Sequence, residues 1–141
     1  MSVYYKYLLE DYDKPIPLFN YKGVKVMYRP IHVSDRYNLR VENNFKPETI
    51  RPYIKQAIDN FNVIPAEKLK KFIDCGSLSI TIVSKSYPYK LAGTLYTKND
   101  NDVTLFIRTI LSNTQKSKDD NENGWILYTE SKQNSIIIYV D

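Results

Sequence analysis

Histidine and cysteine each occur once in this 141-residue chain, and glycine only four times. A zinc site of the Cys and His type needs several such ligands, so His32 and Cys75 alone exclude one. A single cysteine also excludes an internal disulfide and favours a reducing compartment. With so few glycines a Gly-rich phosphate cradle cannot be built, and neither a Walker A loop nor a dinucleotide fingerprint occurs. Serine-nucleophile signatures are missing too. The longest apolar runs, such as Ile136-Ile137-Ile138-Tyr139-Val140, fall far short of the roughly 20 residues that cross a bilayer. Met1 to Lys6 lacks the apolar stretch and cleavage site of a signal peptide. The expectation is a cytoplasmic protein with no membrane partner, no cofactor and no bound metal.

What is present reads as one globular domain over 1–141, with 43% apolar and 26% charged residues. The net charge of +4 mildly favours an anionic partner, although the lysines are scattered among acids. Thirteen tyrosines, with abundant Lys, Asn and Ile, suggest an AT-rich coding sequence of the kind common in phages and low-GC bacteria. Tyrosine also suits binding surfaces, because it buries a large ring and keeps a polar tip.

Residues 1–22 are expected to be irregular, since Pro15 and Pro17 disfavour regular structure. Gly23 to Arg29 alternates, Val24, Val26 and Tyr28 against Lys25, Met27 and Arg29, as a half-buried strand ended by Pro30. Ser34 is the expected N-cap of a helix over 35–43. Ile50, Tyr53, Ile54, Ala57, Ile58 and Phe61 form one buried helical stripe, with Pro52 expected in the first turn. A third helix is predicted from Pro65 to Cys75, with Ala66, Leu69, Phe72 and Ile73 inward and Gly76 as its stop. Cys75, at that helix end, is expected to be an inert buried thiol.

From Ser77 the period changes to two. Strands are predicted over 77–83, 91–95 and 103–111, with Tyr87-Pro88-Tyr89 as the turn between the first two, then over 124–129 and 135–140, with 113–124 as an exposed loop. The stretch 103–111 also fits a helical template, but its β-branched and aromatic content favours a strand. The expected fold is α+β. An N-terminal strand and two or three short helices would pack on a four- to five-stranded antiparallel meander.

Asp119 to Glu130 satisfies the calcium-loop expression D-x-[DN]-x-[DN]-G-x5-E. Its context argues against calcium. The preceding Gln115-Lys116-Ser117-Lys118 is polar throughout, two early ligands would be neutral amides, and no second loop exists to pair with it. A solvated turn rich in Asp, Asn and Gly accounts for the match.

His32, Arg36 and Arg40 fall on one helical stripe, beside a second stripe of Val33, Tyr37 and Val41. RNA supplies its own nucleophile in the 2′-OH. A protein that cleaves it need only move protons and stabilise a crowded phosphate, tasks that suit His and Arg respectively. The plainer alternative makes His32 a capping or surface residue and pairs the arginines with Asp35, Glu42 or Glu48.

The order of a strand, a His-x-x-x-Arg-x-x-x-Arg helix (His32, Arg36, Arg40), the 50–61 helix and then a meander containing Ile107-Arg108-Thr109-Ile110 resembles small ribonucleases. The family is the barnase–EndoU–colicin–RelE-like superfamily of phage and toxin proteins, and the similarity spans about 24–112. The resemblance implies a metal-independent endoribonuclease with its site on the open sheet face. His32 would be the acid or base, Arg36, Arg40 and Arg108 would bind phosphate, and Thr109 would donate a supporting hydrogen bond. Such families often use a second proton carrier. With no second His here, Tyr128 or a lysine would have to serve.

Two functions of different classes follow. One is RNA binding or cleavage at the basic stripe. The other is a non-enzymatic phage accessory protein that docks on a host protein through Tyr4, Tyr5, Tyr7, Tyr12, Tyr87, Tyr89 and Tyr96. Cross-strand packing is the competing account of those tyrosines.

Overall fold

The computed structural model describes residues 13–98, 102–115 and 124–129. Strands β1 (Ile16–Tyr21) and β2 (Val24–Tyr28) form a hairpin closed by Lys22 and Gly23. Both turn residues have positive φ, 48° and 81°, the combination whose twist matches the flanking strands. Part of the segment expected to be irregular is thus a strand. Pro17 is tolerated because β1 is an edge strand, and the register slips between Pro17 and Phe19.

Helix α1 (Pro30–Arg40) begins earlier than the sequence suggested. Pro30 occupies its first turn, where a missing N–H costs little, and Ser34 lies inside the helix and caps nothing. Helix α2 (Pro47–Asp59) buries Ile50, Tyr53, Ile54, Ala57 and Ile58, the stripe read from the sequence. Its opening proline is Pro47. Pro52 sits inside the helix rather than in the first turn, on the solvent side. Phe61 falls just beyond, in the 3₁₀ turn Phe61–Val63. Helix α3 (Ala66–Cys75) ends at Gly76, which takes the left-handed conformation at φ 76°.

Only Phe72 of α3 is buried; Leu69 and Ile73 remain 41% and 57% exposed. Cys75 is exposed as well, contrary to the expected buried thiol. A single residue, Gly76, separates the helix from the next strand.

Strands β3 (Ser77–Val83), β4 (Tyr89–Thr97) and β5 (Val103–Ser112) form the expected antiparallel meander, and β6 (Trp125–Tyr128) follows. The fold is α+β: among the described residues, three helices lie on a six-stranded mixed sheet of order β1-β2-β5-β4-β3-β6. Two pairings are parallel, β2 with β5 and β3 with β6, so the sheet is not the purely antiparallel meander anticipated. The chain leaves β2, builds three helices and two strands, and returns from the same end, which is what a parallel pairing requires. The predicted 135–140 strand and most of the 113–124 loop lie outside the described residues, as does half of the calcium-loop match (119–123 and 130).

One sheet face carries Leu78, Ile80, Ile82, Leu91, Leu95, Leu105, Ile107 and Ile110, all buried beneath the helices. An aromatic group joins helices to sheet there. Tyr53 stacks on Tyr87 at 4.2 Å, and Tyr89 meets both Tyr53 and Tyr37 edge-on. The Tyr53 hydroxyl reaches the Ile82 and Tyr89 carbonyls at 3.0 and 2.9 Å. Tyr89 is therefore a core residue and Tyr87 packs against it, not surface anchors. Tyr96 is exposed, while Tyr4, Tyr5, Tyr7 and Tyr12 lie outside the described residues.

Candidate functional site

Strand β5 runs past the end of β2, so among the described residues its outer edge beyond Ile107 has no strand beside it. Helix α1 covers that edge. Arg40 donates from Nη1 to the Ile110 carbonyl at 2.6 Å, satisfying a backbone acceptor that a neighbouring strand would otherwise take. One turn from the helix start, His32 Nε2 lies 3.1 Å from Thr109 Oγ1. The contact joins two residues far apart in sequence and pins the imidazole at the sheet rim.

A bulge sets which way β5 side chains point. Gly93 pairs with Ile107 and Ala92 with Thr109, leaving Arg108 as the extra residue. Arg108 and Thr109 consequently both lie on the face away from the helices. Gly93 permits this geometry, because a Cβ built there would meet the Phe106 carbonyl oxygen at 2.5 Å. Arg108 does not turn toward His32. Its Nη2 donates to Ser79 Oγ at 3.2 Å and to the Gly93 carbonyl at 3.1 Å, across β4 toward β3.

The start of α1 is capped from a distance. Asp13, 8% exposed, accepts from the Ile31 and His32 backbone N–H groups at 2.9 and 3.0 Å. Its carboxylate lies 3.5 Å from Arg29 Nε, which also donates to the Asp13 carbonyl at 3.3 Å. A carboxylate already fills the anion site that a helix N-terminus offers, so phosphate must be held elsewhere. Sequence reading missed Asp13 because its partners are 18 and 19 residues away. The one signal available was the lack of any acidic residue in the first turn of α1.

Of the three cationic side chains on α1 and at its start, Arg29 and Arg40 are held by the fold. Arg36 makes no hydrogen bond or ion pair among the described residues. Neither Arg36 nor Arg40 forms an ion pair with Asp35, Glu42 or Glu48 among those residues. Partial burial, then Arg36 and Arg29, hold the His32 imidazole below its ordinary pKa, with Asp13 opposing and Arg40 adding to them. The ring is consequently poised neutral near pH 7, able to accept a proton.

The structure therefore brings His32 and Thr109 into contact, with Arg36 and Arg40 on the same helix. Tyr128 is not part of this group. It lies on β6, three strands from β5, about 14 Å away at the usual strand spacing. Among the described residues no group of three or more His, Cys, Asp or Glu could hold a metal ion.

No family model, no curated protein and no solved structure matches this chain.

Proposed function

We propose that the chain binds single-stranded RNA at the α1–β5 edge and cleaves it without a metal, with His32 as general base. The observation that carries this reading is the neutral-leaning, half-buried imidazole held against Thr109 one turn before an unengaged arginine. In the tautomer whose Nε2–H donates to Thr109 Oγ1, Nδ1 keeps its lone pair for the incoming proton. That nitrogen takes the proton of a 2′-OH while the 2′-oxygen attacks the adjacent phosphorus. The 5′-oxygen leaves with a proton from water, and a 2′,3′-cyclic phosphate forms. Arg36 supplies fixed donors to the non-bridging oxygens, where negative charge builds. Thr109, accepting from Nε2–H, steadies the imidazolium. Tyr128 has no place in the scheme, which gives it one protein proton carrier instead of two.

The test is cleavage of a labelled mixed-sequence RNA in EDTA by wild type and by His32→Ala. A loss of at least about 10²-fold is expected in the variant, with the fold intact by circular dichroism. Equal rates would remove His32 from the mechanism. The accessory-protein reading has less to rest on, because Tyr89 belongs to the core and Tyr87 stacks against it.

A further inference from the structure

At the opposite end of β5, on the same sheet face as Arg108 and Thr109, turned away from the described helices, three side chains stand in register across three strands. Lys25 on β2 pairs with Thr104 on β5, and Thr104 pairs with Tyr96 on β4. Together with Gly23, Lys98 and Asp102 they line an open cavity of about 320 Å³. Tyr96 is 44% exposed, although its neighbours Leu95 and Leu105 are fully packed on the other face. The side chains of Lys25, Lys98 and Tyr96 make no hydrogen bond or ion pair among the described residues. An aromatic ring and two ammonium groups are thus exposed, with no polar partner among the described residues.

We propose that this cavity is a base-stacking subsite for single-stranded RNA, in which one base lies on the Tyr96 ring between the Lys25 and Lys98 ammonium groups. The proposal rests on the RNA reading above and gives the strand its path. Thr104 and Thr109 are five residues apart on one strand, about 16 Å at the usual rise, so a short single strand along β5 would touch both places. Stacking on an exposed aromatic tolerates any base, and flanking lysines neutralise phosphates without reading sequence. Phe106 and Met27 form the next row toward Arg108, an apolar floor between the two ends. Asp102, on the cavity rim, repels a phosphate but accepts from a base amino group or a ribose hydroxyl. That places the ring, and not the backbone, on its side.

The experiment is fluorescence-anisotropy binding of a labelled 2′-O-methyl RNA of mixed sequence, which cannot be cleaved because its 2′-oxygen is blocked. Wild type should bind with affinity that falls steeply as salt rises. Tyr96→Ala should weaken binding by about 5- to 150-fold, and Tyr96→Phe, which keeps the ring, should bind like wild type. Lys25→Ala and Lys98→Ala should each flatten the slope of log K against log salt by about 0.7. Wild-type affinity in Tyr96→Ala, with weakened binding in Arg36→Ala, would overturn the subsite and leave the RNA reading standing. No binding by the wild-type protein would overturn both.

Discussion

At one end of β5 the guanidinium groups are mostly consumed by the fold, and at the other the ammonium groups are not. Arg29 is bound to Asp13, Arg40 to the Ile110 carbonyl, and Arg108 to Ser79 and Gly93. Lys25 and Lys98 face the opposite cavity without partners among the described residues. The difference follows from side-chain chemistry. A planar guanidinium fork satisfies backbone and hydroxyl acceptors in fixed directions, whereas an ammonium on a flexible stem stays well hydrated. A count of basic residues therefore overstates the charge offered to a phosphate at the His32 end. Among the described arginines at that end, Arg36 alone has no side-chain hydrogen bond or ion pair.

The largest effect should come from the bulge that divides the two ends. Gly93→Ala would press a methyl group into the Phe106 carbonyl, which is backbone and cannot step aside cheaply. A loss of about 1–3 kcal/mol in urea unfolding is expected. An unchanged midpoint would mean that the bulge does not depend on a bare Cα at this position. Next comes a paired test of the arginine and lysine ends. Arg40→Ala leaves the Ile110 carbonyl without its donor and should cost about 1.5 kcal/mol. Lys25→Ala should stay within about 0.5 kcal/mol of wild type, since that exposed ammonium group has no partner among the described residues. Equal losses in the two variants would erase the contrast.

The parts of this arrangement that depend on local periodicity were legible in the sequence. The buried stripe from Ile50 to Ile58 and the alternation of β3, β4 and β5 each follow from residues a few positions apart. The same holds for His32, Arg36 and Arg40 on one stripe of a helix, although that helix starts at Pro30 and not after Ser34. Contacts set by chain return were not legible. Nothing local pairs β2 with β5 in parallel, brings Asp13 to the start of α1, or seats Tyr128 three strands from His32. Burial of α3 was misread for a related reason. An amphipathic pattern shows which face is apolar but not how far its neighbour extends, and the sheet reaches only Phe72. Tyr89 shows the reverse error. Its place in a turn-like Tyr-Pro-Tyr suggested a surface ring, yet the edge-on contacts with Tyr37 and Tyr53 hold it inside.

The smallest expected effect concerns pH, and it distinguishes the ends of β5 by the one group that titrates near neutrality. Burial and the flanking arginines hold His32 below the ordinary value of 6.5 in the folded chain. Once unfolded, the same imidazole takes its proton at about that ordinary value. Just below pH 6.5 the unfolded chain therefore binds more protons than the folded one, so stability falls as pH falls through this window and levels off below the folded pKa. His32→Gln leaves every carboxylate in place, and the difference between its urea midpoints and those of wild type isolates the imidazole. The wild-type curve should drop more between pH 7.5 and 5 than that of the variant. Parallel curves would mean the ring is not held against Thr109 and the arginines as described. The cleavage rate carries the same sign. With His32 as base and water as the proton source, the rate should rise with pH through a midpoint below 6.5, then level off, and show no descending limb in the neutral range. A bell-shaped profile would require a second titrating group and would return the search to a proton carrier close to the α1–β5 edge.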